Sequence, residues 1–156
     1  RIRLFVKKNS YYFFIFLTLI SLNFIDIIRF HPFQGSYFNY LVYDERKNYF
    51  EVDYWGLAGV KFLNTVIARE PKKDKIKVGV ASYLPLERSL KMLDYNDASK
   101  IEIVGQDYEN ADYIFNNNIS EVNKNFNKKY DVPNNFKLIN EFFVNDFMVY
   151  QVYQKN

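Results

Sequence analysis

Seven residues carry the functional groups that stand out in this chain by type and position. They are His31, Gln34, Tyr37, Asn39, Asp53, Tyr54 and Trp55. Imidazole, amide, phenol and carboxylate groups can hold a polar ligand by hydrogen bonds. Residue chemistry alone favours structural roles for two of them. The proline after His31 ends a helix and leaves a surface histidine, whereas Trp55 is typical of a core or interface anchor.

Several kinds of active site are excluded by the composition. The chain has no Cys and one His, which excludes a disulfide scaffold, a Cys nucleophile and the usual kind of zinc site. No Gly-rich phosphate loop follows a strand, and Ser82, Ser89 and Ser99 lack the context of a nucleophile elbow. No carboxylate lies in an apolar context that would raise its pKa, and Asp94 and Asp97 look like solvated helix-end residues. We therefore expect no metal, no cofactor and no catalytic residue in this chain.

The positive charge of the chain is confined to its start. The 156 residues hold 21 basic and 18 acidic side chains. The first ten residues include four basic side chains and no acidic one, which leaves 17 basic against 18 acidic residues in the remainder. A nucleic-acid-binding protein would carry a basic face through the fold, so this class is excluded as well. The length suits one ordinary domain, and the aromatic content of 20% argues against general disorder.

A membrane-spanning helix is predicted near the N-terminus. Residues 11–28 read YYFFIFLTLISLNFIDII, in which 14 of 18 side chains are apolar or aromatic. A helix of this length covers about 27 Å, close to the hydrocarbon thickness of a bilayer. The basic residues before it predict a cytoplasmic N-terminal end, with the chain after about residue 30 outside the cytoplasm. Two alternatives remain open. A signal peptide would need a small-residue cleavage site, which is missing, and a buried core helix would account for Asn23 and Asp26.

The chain divides into three parts by composition. Residues 1–30 hold the transmembrane helix with its basic flank, residues 31–71 an aromatic membrane-proximal segment and an amphipathic helix, and residues 72–156 an extracytoplasmic α/β domain. Asp53 is placed to cap the amphipathic helix. The apolar face of that helix is expected at Leu57, Val60, Leu63, Val66 and Ile67.

Strands that alternate with a helix predict a parallel sheet core in the third part. Apolar runs predict strands at 76–81, 101–104 and 111–115. Pro85 opens a helix between the first two strands. Its inner stripe is expected at Leu86, Leu90 and Leu93.

The end of the chain gives the clearest strand signal. Residues 116–135 contain eight Asn, and we expect an irregular stretch there around at most one short helix. Residues 136–144 and 147–153 predict a hairpin with its turn at Asn145-Asp146. The predicted fold class is α/β: one N-terminal transmembrane helix, then a small mixed α/β extracytoplasmic domain that ends in a β-hairpin.

Two motifs resemble a family of membrane enzymes. His31-Pro32-Phe33-Gln34-Gly35-Ser36-Tyr37-Phe38-Asn39 resembles the His-Pro-Tyr-Gln-x-x-Tyr-Phe-Asn segment that follows the last span in many bacterial multi-pass glycosyltransferases. Asp53-Tyr54-Trp55-Gly56-Leu57 is similar to the Asp-Tyr-Trp-Gly-Leu motif that comes shortly after it there. These enzymes, of the GT-C class, include the protein O-mannosyltransferases and the aminoarabinose transferases of lipid A. Weaker matches are Ala111-Asp112-Tyr113-Ile114 and the closing hairpin, and Phe33 stands where Tyr is commoner.

The resemblance implies an enzyme of the bacterial inner membrane that moves a sugar, with inversion, from a polyprenyl-phosphate carrier to an acceptor on the outer face. Its catalytic carboxylate usually lies in a first outer loop that these residues do not contain. We therefore expect the last span and the C-terminal domain of such an enzyme, inactive alone, and the start at Arg1 rather than Met favours a tail over a processed product.

The resemblance also implies site residues and partners. A substrate-binding role near the lipid headgroups is implied for His31, Gln34, Tyr37 and Asn39, and a structural role for Asp53, Tyr54 and Trp55. The implied partners are membrane lipid, the polyprenyl-phosphate-linked sugar and the remaining transmembrane helices of the parent chain. The alternative is a single-span anchored extracytoplasmic domain that binds a partner or an envelope polymer without catalysis. A soluble domain released by cleavage near residue 30 is a third hypothesis.

Overall fold

The computed structural model describes residues 2–33, 53, 55–119, 128–144 and 147–156, with side chains from residue 10 onward. Four of the singled-out residues lie outside the described residues, as does the predicted turn at 145–146. These four are Gln34, Tyr37, Asn39 and Tyr54. The chain forms two compact units, residues 1–34 and residues 35–156.

The first unit is one long helix, α1 (Ile2–Phe30). Its segment Ser10–Phe30 has a mean hydropathy of 1.9 and is not buried within the protein. At the rise of an α-helix it measures about 31 Å, the hydrocarbon thickness of a bilayer. Thr18, Ser21 and Asn23 donate hydrogen bonds to backbone carbonyls one turn earlier at 2.7 to 2.9 Å. These bonds satisfy the three polar side chains within the helix itself. By its length and hydropathy, α1 could cross a membrane.

Helix α2 (Ala58–Arg69) is the first described helix of the second unit. Its buried residues are Ala58, Gly59, Phe62, Leu63, Val66 and Ile67. Leu57 and Val60, expected on the apolar face, are half-buried, and Phe62 takes the central place. The ring of Phe62 lies 5.0 Å from that of Phe115, which makes it the main contact to the sheet. The predicted helix is confirmed, and three of the five residues expected on its apolar face, Leu63, Val66 and Ile67, are buried.

Five strands form one mixed sheet in the described part of the second unit. They are β1 (Ile76–Val80), β2 (Ile101–Gly105), β3 (Tyr113–Asn116), β4 (Phe136–Val144) and β5 (Phe147–Lys155). Their order is β2-β1-β3-β5-β4. Strand β1 is parallel to β2 and β3, whereas β5 is antiparallel to β3 and β4. The parallel core and the closing hairpin are confirmed, and the protein is mixed α/β with one N-terminal helix that could span a membrane.

The single helix expected from Pro85 is wrong. Two short helices take its place, α3 (Glu87–Leu90) and α4 (Tyr95–Ser99). Asp94 starts the second, since its carboxylate accepts a hydrogen bond from the Asp97 amide at 3.1 Å and satisfies a free helix donor. The expected inner stripe is uneven: Leu86 is buried, whereas Leu90 and Leu93 are half-buried.

The sheet is packed on both faces. On the α2 face the ring of Phe62 meets those of Phe115 and Tyr150 with centroids 5.0 and 6.2 Å away. The other face carries the buried cluster Ala81, Ala111, Ile114 and Phe136. A 3-10 helix, Tyr108–Asn110, crosses this second face close to β1. Gly79 allows that approach, since a Cβ there would lie 3.0 Å from the Tyr108 ring.

Candidate functional site

The carboxyl ends of β1 and β3 form the edge at which this fold gathers polar groups. From β1 the chain runs to β2 on one side, and it then crosses β1 to reach β3 on the other side. The strand order therefore reverses between β1 and β3. In sheets with parallel strands, such a reversal opens a crevice beyond the carboxyl ends, where ligands commonly bind. Ala81 and Ser82 follow β1 at this edge, and Asn117 and Asn118 follow β3.

Asp53 joins this edge to the start of α2. Its side chain is 3% exposed. One carboxylate oxygen, Oδ1, accepts a hydrogen bond from the backbone amide of Ala58 at 3.0 Å. The other, Oδ2, accepts one from Asn117 Nδ2 at 3.1 Å. Because Ala58 is the first residue of α2, the carboxylate satisfies a helix donor without occupying the capping position itself.

Burial raises the pKa of Asp53 above its ordinary value of 3.8. The hydrogen bonds from Asn117 and from the backbone of Ala58 and Leu57 lower it but do not cancel the effect of burial. The expectation that no carboxylate lies in an apolar context is therefore wrong. The sequence signal was the aromatic setting of Asp53 ahead of an apolar helix, and its partner Asn117 lies 64 residues away.

The loop after β3 is held in a specific conformation by its asparagines. Asn117 is 6% exposed, and its Oδ1 accepts from the Ile119 amide at 3.2 Å. Asn118 has a φ of 61°, in the left-handed region that Asn tolerates better than most residues. The backbone amide of Asn118 donates to Asn116 Oδ1 at 2.8 Å. The sequence predicted only an irregular Asn-rich stretch here and gave no role to these residues.

A cavity of about 640 Å³ opens on the second face at the same edge. It lies between the ends of β1 and β3 on one side and residues 130–136 on the other. The hydroxyl of Tyr108 braces the neighbouring wall, since it donates to the carbonyl of Lys129 at 3.1 Å and lies 3.4 Å from that of Val80. Burial raises the pKa of Tyr108 to about 12, so this hydroxyl remains a donor at neutral pH. The sequence did not indicate this cavity.

The described singled-out residues fall in both units. His31 directly follows α1 in the first unit and is exposed. Asp53 and Trp55 belong to the second unit. Trp55 is 79% exposed, which excludes a core anchor, and the alternative of an interface anchor stays a prediction. Within the described residues, no group of three metal-ligating side chains occurs.

Comparison with models of known protein families, with curated proteins and with solved structures gave no match.

Proposed function

We propose that this chain is the C-terminal part of an integral membrane glycosyltransferase. The enzyme moves a sugar from a polyprenyl-phosphate donor to an extracytoplasmic acceptor, and this part shapes the cleft for donor and acceptor. The observation that carries the proposal is the pair of motifs that begin at His31 and Asp53. The first motif starts directly after a helix that could cross a membrane, which is the position that this function requires.

The geometry of the second motif supports a structural role. Asp53 is buried and hydrogen-bonded to α2 and to the loop after β3, whereas Trp55 two residues later is exposed. An exposed Trp beside a buried anchor suits a contact with the lipid interface or with another membrane helix, where an amphipathic ring is favoured. The motif would thereby fix the domain to the membrane part of the enzyme.

The first motif supplies groups suited to a donor phosphate. An imidazole, an amide and a phenol each offer a hydrogen-bond donor to a phosphate oxygen. We assign this role to His31, Gln34 and Tyr37, with Asn39 beside them. In this proposal the basic N-terminal flank is cytoplasmic and the second unit is extracytoplasmic.

Single substitutions in the intact protein test this role. His31→Ala and Gln34→Ala are expected to lower sugar transfer in native membranes by about tenfold or more, since each removes a donor to a charged oxygen. Asn96→Ala, which removes an exposed amide from α4, is the matched control and should leave transfer unchanged. If sugar transfer were unaltered in both test variants at normal protein levels, the proposed contacts of His31 and Gln34 with the donor phosphate would be excluded.

A second candidate function is a single-span anchored domain that binds an envelope ligand without catalysis. The cavity beside β1 and β3 favours it, because a binding domain needs such a site and no reacting group. The reading frame upstream of Arg1 distinguishes the two candidates. Many apolar spans with an acidic first outer loop would support the transferase, and a start codon directly before Arg1 would support the binding domain.

A further inference from the structure

The cavity at the carboxyl ends of β1 and β3 has the size and position of a small-molecule site. Its volume of about 640 Å³ lies within the range of about 300 to 1,000 Å³ that is usual for ligand pockets. It also opens at the reversal of strand order, where ligands commonly bind in this kind of sheet. Its lining comes from four separate segments: Ala81 after β1, the end of β3 with the loop that follows it, residues 130–134 with Phe136, and Tyr153 of β5.

The lining is rich in uncharged polar groups. Asn116, Asn118 and Asn134 line the cavity, and each amide side chain can both donate and accept hydrogen bonds. Two of these side chains already bond within the protein, because Asn116 Oδ1 accepts from the backbone amide of Asn118 at 2.8 Å and Asn118 Nδ2 donates to Met148 Sδ at 3.9 Å. An amide side chain has more hydrogen-bonding positions than one such bond uses, so a ligand would meet amides that are partly oriented before it binds.

Aromatic rings supply the apolar part of the wall. Tyr130 and Tyr153 are half-buried and pack against the cluster that contains Ala81 and Phe136. The Tyr153 hydroxyl donates to Gln151 Oε1 at 3.0 Å and keeps acceptor capacity of its own. Rings beside amides suit a ligand that presents C–H groups and hydroxyls together.

The charge of the lining narrows the class of ligand further. Asp131 is its one charged side chain among the described residues, and no Lys or Arg lines it there. A phosphate or carboxylate ligand would be repelled by that carboxylate and would find no cationic partner among the described residues of the lining. Hydroxyl groups, by contrast, can donate to a carboxylate and to amide oxygens.

We propose that this cavity binds an uncharged saccharide unit through Asn116, Asn118, Asp131 and Asn134, with Tyr130 and Tyr153 against the sugar ring. This inference goes beyond the proposed function. A saccharide site in the second unit is distinct from the donor-phosphate contacts assigned to His31, and the anchored binding domain would use the same site.

Saturation-transfer NMR on the full chain in nanodiscs tests the inference. The probes are methyl α-glucoside, methyl α-mannoside and N-acetylglucosamine, and inorganic phosphate, which has no C–H protons to observe, is added as a competitor. Asn134→Trp is expected to abolish the saturation-transfer signal of the saccharides, because the larger side chain occupies part of the cavity that Asn134 lines, and Asn134→Ala to weaken binding about threefold to tenfold by loss of one hydrogen bond. Asn135→Trp changes the neighbouring exposed residue, which does not line the cavity, and should leave binding unchanged.

The outcomes separate clearly. A saturation-transfer signal for at least one saccharide, with the loss confined to the Asn134 variants and thermal unfolding unchanged in Asn134→Ala, supports the site. Absence of this signal for all three saccharides overturns it, as does equal binding in a folded Asn134→Trp variant or displacement of the bound saccharide by an equal concentration of phosphate. A sugar-transfer assay in membranes is read separately, so failure of this inference does not count as failure of the proposed function.

Discussion

The hydrogen bond between Asp53 and Asn117 gives the sharpest prediction for this fold. Its two partners are almost fully buried, at 3% and 6% exposure, and it joins α2 to the loop after β3. In Asp53→Asn the side chain at position 53 can still accept from the Ala58 amide, but its NH₂ group then faces the NH₂ group of Asn117. Asn117 cannot simply turn round, because its Oδ1 already accepts from the Ile119 amide.

The cost follows from the groups left without partners. A hydrogen bond to a charged group contributes about 1.5 to 3 kcal/mol, and a buried donor without an acceptor costs about 1 to 3 kcal/mol. Release of the buried charge returns part of this amount, so we expect Asp53→Asn to lower the free energy of unfolding by about 2 kcal/mol. For a unit of this size the melting temperature should fall by roughly 6 to 12 °C.

The reciprocal change makes the prediction specific. Asn117→Asp sets two carboxylates against each other and should cost a similar amount. In the double variant, the amide at position 53 donates to the carboxylate at position 117, and that carboxylate still accepts from the Ile119 amide. The double variant should lie within about 1 kcal/mol of the wild type, with a coupling energy of about 3 kcal/mol.

Thermal unfolding of the full chain in detergent, followed by near-ultraviolet circular dichroism of its 14 Tyr residues, measures this cycle. Additive losses in the double variant would refute the reasoning. The pH dependence of the free energy of unfolding offers a second check, because the direction of the pKa shift of Asp53 sets its sign. Because the pKa of Asp53 is raised in the folded state, its contribution is fully present below the ordinary value of 3.8 and is lost as the pH rises through the folded pKa. The advantage of wild type over Asp53→Asn should therefore shrink as the pH rises above that value.

Three further predictions concern the packing, the acid stability and the topology. Gly59→Ala should destabilise the protein by about 1 to 3 kcal/mol, because the added methyl group would overlap Ser89 of α3. This cost exceeds the gain from the better helix propensity of Ala. The control Asn64→Ala changes an exposed residue of the same helix and should be neutral or slightly stabilising in the same thermal unfolding experiments. The pKa of Asp112 shifts in the opposite direction from that of Asp53. Burial would raise it, but the hydrogen bonds from Lys73 and from the Lys77 amide outweigh burial and lower it. The contribution of Asp112 to stability is therefore present above its ordinary pKa and is lost as the pH falls through the folded pKa. Asp112→Asn should flatten the acid limb of the stability profile, and an unchanged limb would contradict this assignment. The 156 residues contain no Cys, so the parent protein with any Cys outside them replaced by Ser provides a Cys-free background. In that background Asn110→Cys should react with an impermeant maleimide on intact cells and Lys8→Cys only after permeabilisation, and the reverse pattern would contradict the proposed topology.

The strands could be predicted from the sequence because their signal is local. Runs such as Ile76–Val80 and Phe147–Lys155 are dense in β-branched and aromatic residues, and a strand needs little more than that over five to nine positions. Local signals misled at residues 85–99. Leucines at helical spacing predicted one helix, whereas the capping bond of Asp94 starts a second one.

The candidate site could not be predicted in the same way, because its parts are distant in the sequence. Asp53 and Asn117 meet only once β3 has paired with β1, and the cavity joins Asn116 to Asn134 across the same edge. No sequence spacing indicates that Asp53 and Asn117, which are 64 residues apart, are in contact. The buried face of α2 likewise depends on a distant contact. Phe62 is buried against Phe115 of the sheet, whereas Leu57, which the sequence pattern favoured, is only half-buried.

The proposed sugar transfer from a lipid carrier can be measured directly. A radiolabelled sugar on polyprenyl phosphate is followed in membranes from cells that contain or lack the gene. If the proposal is correct, the label moves to an extracytoplasmic acceptor only in membranes that contain the protein. Equal movement of the label in both membranes would contradict it.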